Sequence, residues 1–413
     1  MRIAMIVVLV GVGAVAPVVA AEEPAWVEIS GGEDLTGWKT LGGEWTVEEG
    51  AITGRLRKTE EERGQQVNCW LLYEKEFADC EIEFECRTPE PTNGGLQFRT
   101  HWLPLKPIPE GTPIGEARKD AHGYQANVET RSRYGTGRLI DENGRGMLAE
   151  PSKESVQTLS QRGWNKMRVS AHGAVIETYL GDILANRVED EAYLKGYLLL
   201  QVRADEKAQE VTTVQYRNIR VKDYGREGNW RPLFDGKTLE GWKTWGSEEW
   251  TVEDGAIIGR SGPKKSEGYL GTVETWTDFH VRGAFKMLGE GNFGLFYHSS
   301  IKLKEDGYPV ISGVQGEVEP GYPSKTGWLY ESYKRGWLVE PDTNTTGAMA
   351  LRPGEWNEIE IRSKGKQVTT WVNGVRTLDF DDPEPLLTEG FFALQLHTGG
   401  VDGISWKDLY VKE

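Results

Sequence analysis

The chain has 413 residues, 38% hydrophobic and 27% charged, and a formal net charge of −16. That is too long for one core and predicts two or three domains, and the composition is globular rather than disordered. The acidic balance argues against a nucleic-acid partner and against an anionic membrane surface, since both call for clustered Lys and Arg.

Residues 1–21 read as a secretory signal. Arg2 supplies the basic start, an apolar run extends from Ile3 to Val15, Pro17 breaks it, and Val19-Ala20-Ala21 puts small residues before the expected cut. The run is shorter than the about 20 residues of a spanning helix, and nothing later is apolar enough to span a bilayer. The expectation is an exported protein, periplasmic or secreted, with an uncleaved N-terminal anchor as the alternative. Cys69, Cys80 and Cys86 are the three cysteines, so at least one thiol stays free. Cys80 and Cys86 lie six residues apart in an alternating strand, roughly 20 Å at about 3.3 Å per residue, which is beyond disulfide reach. A Cys69–Cys80 link across a hairpin is the alternative.

The rest of the chain is one pattern written twice. DLTGWKTLGGEWTVEEGAITGR, from Asp34, recurs as TLEGWKTWGSEEWTVEDGAIIGR from Thr238. TGRLIDENGRGMLAEP, from Thr136, matches TGWLYESYKRGWLVEP from Thr326 without a gap. RGWNKMRV matches GEWNEIEI, LLLQVR matches FALQLH, and each copy closes on YRNIRVKD or WKDLYVKE. The copies span 24–224 and 229–413, and the short polar linker 225–228 predicts two domains that sit close and can rock.

Within each copy the elements read as strands. EWTVEEGAITG is strand, tight turn, strand, with Glu49-Gly50 and Asp254-Gly255 at the hairpin corners. CEIEFECRT, HVRGAFKML, NEIEIRS, QVTTWVNG and GISWKDLYV alternate or carry β-branched and aromatic residues, and no stretch holds a helical period with caps. The fold class is all-β: two tandem jelly-roll sandwiches. Trp38/Trp242, Trp45/Trp250 and Trp164/Trp356 recur at equivalent places and are read as core framework.

LFDGKTLEGWK, EWTVEDGAIIG, an NGGLQFR strand, GYQAN, the acid-rich turn, GEWN with a later VNG, and LQ followed by a closing RNI strand occur in fixed order. Together they resemble the 3-keto-disaccharide hydrolase domain family, twice over nearly the whole mature chain. The resemblance implies a concanavalin A-like fold with a concave sugar-facing sheet, a carbohydrate ligand, and cleavage of glycosides oxidised at C3. A C3 ketone acidifies the C2 hydrogen; a base removes it, the enolate expels the glycosidic oxygen from C1, and water adds back. Such a site needs a base and a group to hold the enolate oxygen. No nucleotide-cofactor, zinc-protease or G-x-S-x-G motif is present, so no cofactor is predicted and a separate oxidoreductase must make the ketone. The alternatives are a non-catalytic carbohydrate-binding module and a surface interaction protein.

Three clusters are site candidates. The first is Tyr124, Gln125, Asn127 and Glu129 in GYQANVE, against Gln315 and Glu317 in VQGEVE; alternate positions share one strand face, though a polar face is often merely solvated. The family motif has an acid two residues after the Gln. Glu317 keeps it, whereas Asn127 cannot take a proton. The second cluster is Asp141, Glu142 and Arg145 against Glu331 and Arg335, where the arginines either grip a sugar oxygen or the enolate, or pair idly on the surface. The third is Arg99 and Arg203 in the first copy against His298 and His397 in the second; a His can serve as acid or base near neutrality. A divalent metal held by His298, His397 and Glu317 stays open as an alternative. Trp102, Trp328 and Trp337 lack aromatic counterparts in the other copy and are the candidates for stacking on sugar. Copy two, with Glu317 or a His as base and Arg335 as oxyanion partner, is the better candidate for chemistry. The alternative gives the activity to copy one through Tyr124, Gln125, Asp141, Glu142 and Arg145.

Overall fold

A computed structural model of the chain describes residues 23–30, 32–89, 92–104, 119–130, 135–160, 163–206, 211–321, 323–399 and 402–413. The expected signal segment, 1–21, lies outside these. The regular structure among the described residues is antiparallel strand, apart from short 3-10 turns at Ser155–Thr158 and Gly347–Met349.

Each half is two stacked sheets. In the first half the back sheet runs Ile183–Glu189, Val175–Leu180, Asn165–His172, Asp79–Arg87, Thr212–Gly225, Ala51–Leu56, Glu44–Glu48. Its front sheet runs Gly146–Ala149, Leu139–Glu142, Lys119–Glu129, Asn93–Pro104, Gly196–Ala204, Val67–Phe77, Trp38–Leu41. The second half repeats both orders. Its back sheet runs Val375–Asp381, Gln367–Val372, Asn357–Lys364, Phe279–Met287, Ile404–Lys412, Ala256–Arg260, Glu249–Glu253. Its front sheet runs Gly336–Trp337, Leu329–Glu331, Pro309–Val318, Phe293–Leu303, Phe391–Leu396, Gly268–Thr272, Trp242–Trp245. These are the two jelly-roll sandwiches that the patterning predicts, with the concanavalin A-like form that the resemblance implies.

Alternation sends one side of every strand inward. On Asp79–Arg87, Cys80, Ile82, Phe84 and Cys86 enter the core while Glu81, Glu83 and Glu85 face out. All three thiols are free. Cys69 belongs to the front sheet and Cys80 to the back sheet, so the two are not hairpin partners.

The repeated residues make repeated contacts. Trp38 Nε1 donates to Ile29 O at 2.7 Å and Trp242 Nε1 to Leu233 O at 2.8 Å. Trp45 covers Gly54 and Trp250 covers Gly259, where a Cβ would meet the indole at 2.6 Å in both. Asn165 and Asn357 each accept a backbone N–H at 2.7 Å, from Ser160 and Arg352. Both hairpin corners have positive φ, 51° and 74° at Glu49-Gly50 and 49° and 78° at Asp254-Gly255, as the twist of a two-residue turn requires. Trp164 and Trp356 depart from the framework reading. They are half-buried, Trp164 between the guanidinium groups of Arg87 and Arg217 and Trp356 under Lys407.

Beside the linker the two sandwiches touch through several contacts. Arg226 is buried against Glu360 of the second sandwich. Leu194 N donates to Gly374 O at 2.7 Å and Arg376 N to Ala192 O at 2.8 Å. Trp371 Nε1 and the Arg362 guanidinium both hold Glu191, and Ala350, Val372 and Val375 join the first sandwich's core.

Candidate active site

Front-sheet parity sets the site. In the second sandwich Leu270, Leu295, Val314, Val318 and Leu394 enter the core, so Tyr269, Gly294, Gln315, Glu317 and Gln395 face outward. Register lines Trp245, Tyr269, Gln395, Gly294 and Glu317 side by side across five strands. The adjacent line holds Phe296, Gln315, Tyr330 and Trp337.

Glu317 is 4% exposed. Asn292 donates to one carboxylate oxygen and Gln315 Nε2 to the other at 3.0 Å. Burial dominates those bonds and pushes the carboxyl up to about 8. Gln315 leans across Gly294, where a Cβ would stand 2.4 Å from its Cγ, so that position must be glycine. Beyond Gly294 the Tyr269 hydroxyl and Gln395 Oε1 are buried side by side near Glu267, without a hydrogen bond of full geometry. Burial raises Tyr269 far above its ordinary value and keeps it a proton donor. Tyr330 meets Trp337 edge-on at 5.3 Å.

The same lines in the first sandwich read Leu41, Trp70, Gln201, Gly95, Asn127 and Gln97, Gln125, Ile140, Met147. Here the polar corner is closed by amides. Gln125 Nε2 reaches Asn127 Oδ1 at 2.9 Å and Gln201 at 3.1 Å, and Asn127 Nδ2 donates to Gly135 O at 2.9 Å. Glu142 joins from the neighbouring strand, 3.8 Å from Arg203, and burial raises its carboxyl. Glu129 lies at the rim, 3.6 Å from Arg138.

The structure therefore brings together Gln315, Glu317 and the Tyr330–Trp337 pair in one copy, and Gln125, Asn127, Glu142 and Arg203 in the other. It places several predicted residues elsewhere. Arg99 and His298 sit at a bulge in equivalent strands, with φ of 49° and 46°, which turns both away from the front face. Arg99 is buried on Asp79, Ala78 O and Gly173 O. His298 holds Thr277 O at 2.7 Å among Phe279 and Tyr297. His397 is exposed beyond the end of its strand, so His298, His397 and Glu317 do not converge. Among the described residues no three His, Cys, Asp or Glu are grouped to hold a metal ion.

Both loop arginines are enclosed by two acids. Arg335 makes four bonds of 2.6–2.9 Å to Glu331 and Asp382, and Arg145 binds Asp141 at 2.6 Å and Asp190 at 2.6 and 3.0 Å. Tyr124 donates to Asp190 from inside the core. These groups brace the sandwich edge and commit most of the guanidinium donors to carboxylates. Trp328 is a core residue at 4% exposure. Asn292, Tyr269, Gln395 and Tyr330 escaped the sequence reading; Asn292 and Gly294 align with Asn93 and Gly95 of NGGLQFR, a signal that was available.

The family comparison matches a 3-keto-alpha-glucoside-1,2-lyase-like domain at residues 25–222 and again at 229–412. The chain belongs to that family. The two matched segments coincide with the two sandwiches. No curated protein matches it. Among solved structures it is similar to a candidate glycosyl hydrolase from Parabacteroides distasonis, 24% identical over 44% of this chain and 93% of that one, with a TM-score of 0.34. The carbohydrate binding module CBM66 from Bacillus subtilis is 19% identical over 45% and 96%, with a TM-score of 0.33. A Bacillus subtilis protein with a galectin-like fold is 13% identical over 45% and 96%, with a TM-score of 0.33.

Proposed function

We propose that the second sandwich of this tandem lyase-like protein cleaves 3-keto glycosides by elimination, with Glu317 as the base. The observation that carries this is the Glu317 carboxyl itself: outward-facing, oriented by Asn292 and Gln315, and raised to about 8. A base is most effective when its pKa lies near working pH. The Glu317 carboxylate takes the C2 proton, and the C–H pair becomes the enolate. The enolate collapses to the ketone as C1=C2 forms and the C1–O bond breaks, its electron pair leaving with the glycosidic oxygen, which takes up a proton. Water adding across C1=C2 returns a 3-keto sugar. The enolate needs a donor that is not already spent. Arg335 commits four bonds to Glu331 and Asp382, whereas the Tyr269 hydroxyl is buried and protonated, lies beside Gln395 and Glu267, and makes no hydrogen bond of full geometry. A proton held on Tyr269 and directed at the enolate oxygen supplies that stabilisation, and Tyr330 with Trp337 offers an aromatic edge for the sugar ring.

In this reading the chain is exported by residues 1–21 and depends on a separate oxidoreductase to oxidise C3. The test is incubation with 3-keto-α-glucosides and their unoxidised parents. Cleavage of the oxidised set alone, lost in Glu317→Gln, is the expected outcome; cleavage of the parents, or of neither set, defeats the reading. A second reading places the base in the first sandwich at Glu142, favoured by its burial and raised carboxyl. Glu142→Gln assayed beside Glu317→Gln separates the two.

A further inference from the structure

The first sandwich has an apolar patch on the outside. Trp70, Leu72, Ala121 and Leu199 are buried together on its front face, with Leu41, Trp102 and Tyr197 against them, and none of these belongs to the sandwich core. One end of it is walled by the other sandwich. Residues 349–353 cross it, fastened by Arg352, which pairs with Glu76 and stands 5.6 Å from the Tyr197 ring. Between patch and wall lies a cavity of about 630 Å³, within the about 300–1,000 Å³ of small-ligand sites. Trp102, Tyr197, Lys39, Lys119, Glu74 and Glu355 are among its lining residues. Lys39 and Lys119 have no ion-pair partner among the described residues.

We propose that this interdomain cleft is a saccharide-binding subsite, built by the first sandwich and completed by the second, where a glucose oligosaccharide stacks on Trp102 and Tyr197 and bonds its hydroxyls to the charged lining residues. Aromatic faces with sparse charged groups around them suit a ring that is apolar on its faces and hydroxylated at its edge. The polar corner next to it offers Asn127 where the second sandwich has Glu317, so the first sandwich holds sugar without a base at that position. The inference goes beyond the elimination reading and takes from the family only the choice of an α-linked glucose chain as probe.

The experiment titrates maltotetraose calorimetrically into the full chain carrying Glu317→Gln, so that binding is read whether or not the elimination reading survives. Saturable binding is expected, weakened about tenfold or more by Trp102→Ala or Tyr197→Ala and changed less than about twofold by Val273→Ala at an exposed position of the second sandwich outside both sites. Hydrogen exchange on the Glu317→Gln chain without further substitution is the second measurement, with ligand protection expected at 39–41 and 349–355. The proposal is overturned by no binding up to about 10 mM, by binding that Trp337→Ala removes and Trp102→Ala leaves, or by protection confined to the second sandwich's front face.

Discussion

Replacing Glu317 by Gln should separate its two roles, because the same burial that suits it to take a proton opposes the ionised fold. A carboxyl moved from 4.5 to about 8 binds its proton more tightly in the folded than in the unfolded chain. Stability is therefore intact below pH 4.5 and is lost as pH rises through about 8. Integrated between those values, the loss is on the order of 3 kcal/mol at pH 7 and 5 kcal/mol at pH 9. Gln does not titrate and keeps an acceptor for Asn292 or Gln315, so it should escape the loss. A sandwich of this size shifts its midpoint by about 2–4 °C per kcal/mol, which puts the variant about 6–12 °C above the unmodified chain at pH 7, with the gap closing near pH 5. Differential scanning calorimetry between pH 5 and 9 reads this directly. In parallel, cleavage of a 3-keto-glucoside should fall about 10²–10⁴-fold, and in the unmodified enzyme should climb with pH up to about 8. A midpoint difference that is constant from pH 5 to pH 8 would refute the account of the carboxyl, whatever happens to activity.

Two more predictions concern residues whose role the structure reassigns. Arg99→Met leaves Asp79 buried without its cation and should cost about 3–5 kcal/mol, measured by thermal unfolding, while protein that remains folded keeps its cleavage rate; a stable variant with abolished cleavage would return Arg99 to the site. The thiols of Cys69, Cys80 and Cys86 are buried and pushed up to about 11, 12 and 12, so a maleimide should label none in native protein and all three in urea, read by mass spectrometry. Labelling of any of them in the native state would contradict their placement in the core.

The fold was legible because the signals behind it are local. Alternation along CEIEFEC fixes an inner and an outer face, paired positive-φ residues fix the hairpin corners, and recurrence of the same tryptophans and asparagines fixes two copies of one framework. The site was only half legible. Gln315 and Glu317 share a face because their strand is regular across them, and period two suffices to show it. Arg99 and His298 defeated the same rule because a bulge inserts one residue and reverses the face, and nothing in LQFR or LFYH marks the bulge. Arg145 and Arg335 looked available because their second acid partners, Asp190 and Asp382, come from a strand end more than forty residues away. Tyr269 and Gln395 were invisible as site residues because only cross-strand register sets them in line with Glu317.

That register also says what it would take to make the copies equal, and why one change is not enough. Asn127 stands where Glu317 stands, and Gln125 already offers the amide that Gln315 offers. Asn93, the counterpart of Asn292, has a buried Oδ1 without a partner, so its amide is free to turn toward a carboxylate. Asn127→Glu would nevertheless press one oxygen on Gly135 O, which now accepts from Asn127 Nδ2 at 2.9 Å. The new carboxyl should stay protonated at neutral pH and destabilise the first sandwich increasingly as pH rises. It should not create an elimination site. Trp70 replaces Tyr269, and its indole N–H is already bonded to Asp120 at 2.7 Å, so no hydroxyl stands there for an enolate; Ile140 and Met147 replace Tyr330 and Trp337. We therefore expect Asn127→Glu to leave a Glu317→Gln chain inactive on 3-keto-glucosides, and the further change Trp70→Tyr to be the smallest that gives measurable cleavage. Recovery to within about tenfold of the unmodified rate by Asn127→Glu alone would mean that an oriented acid suffices and that Tyr269 has no part in the chemistry.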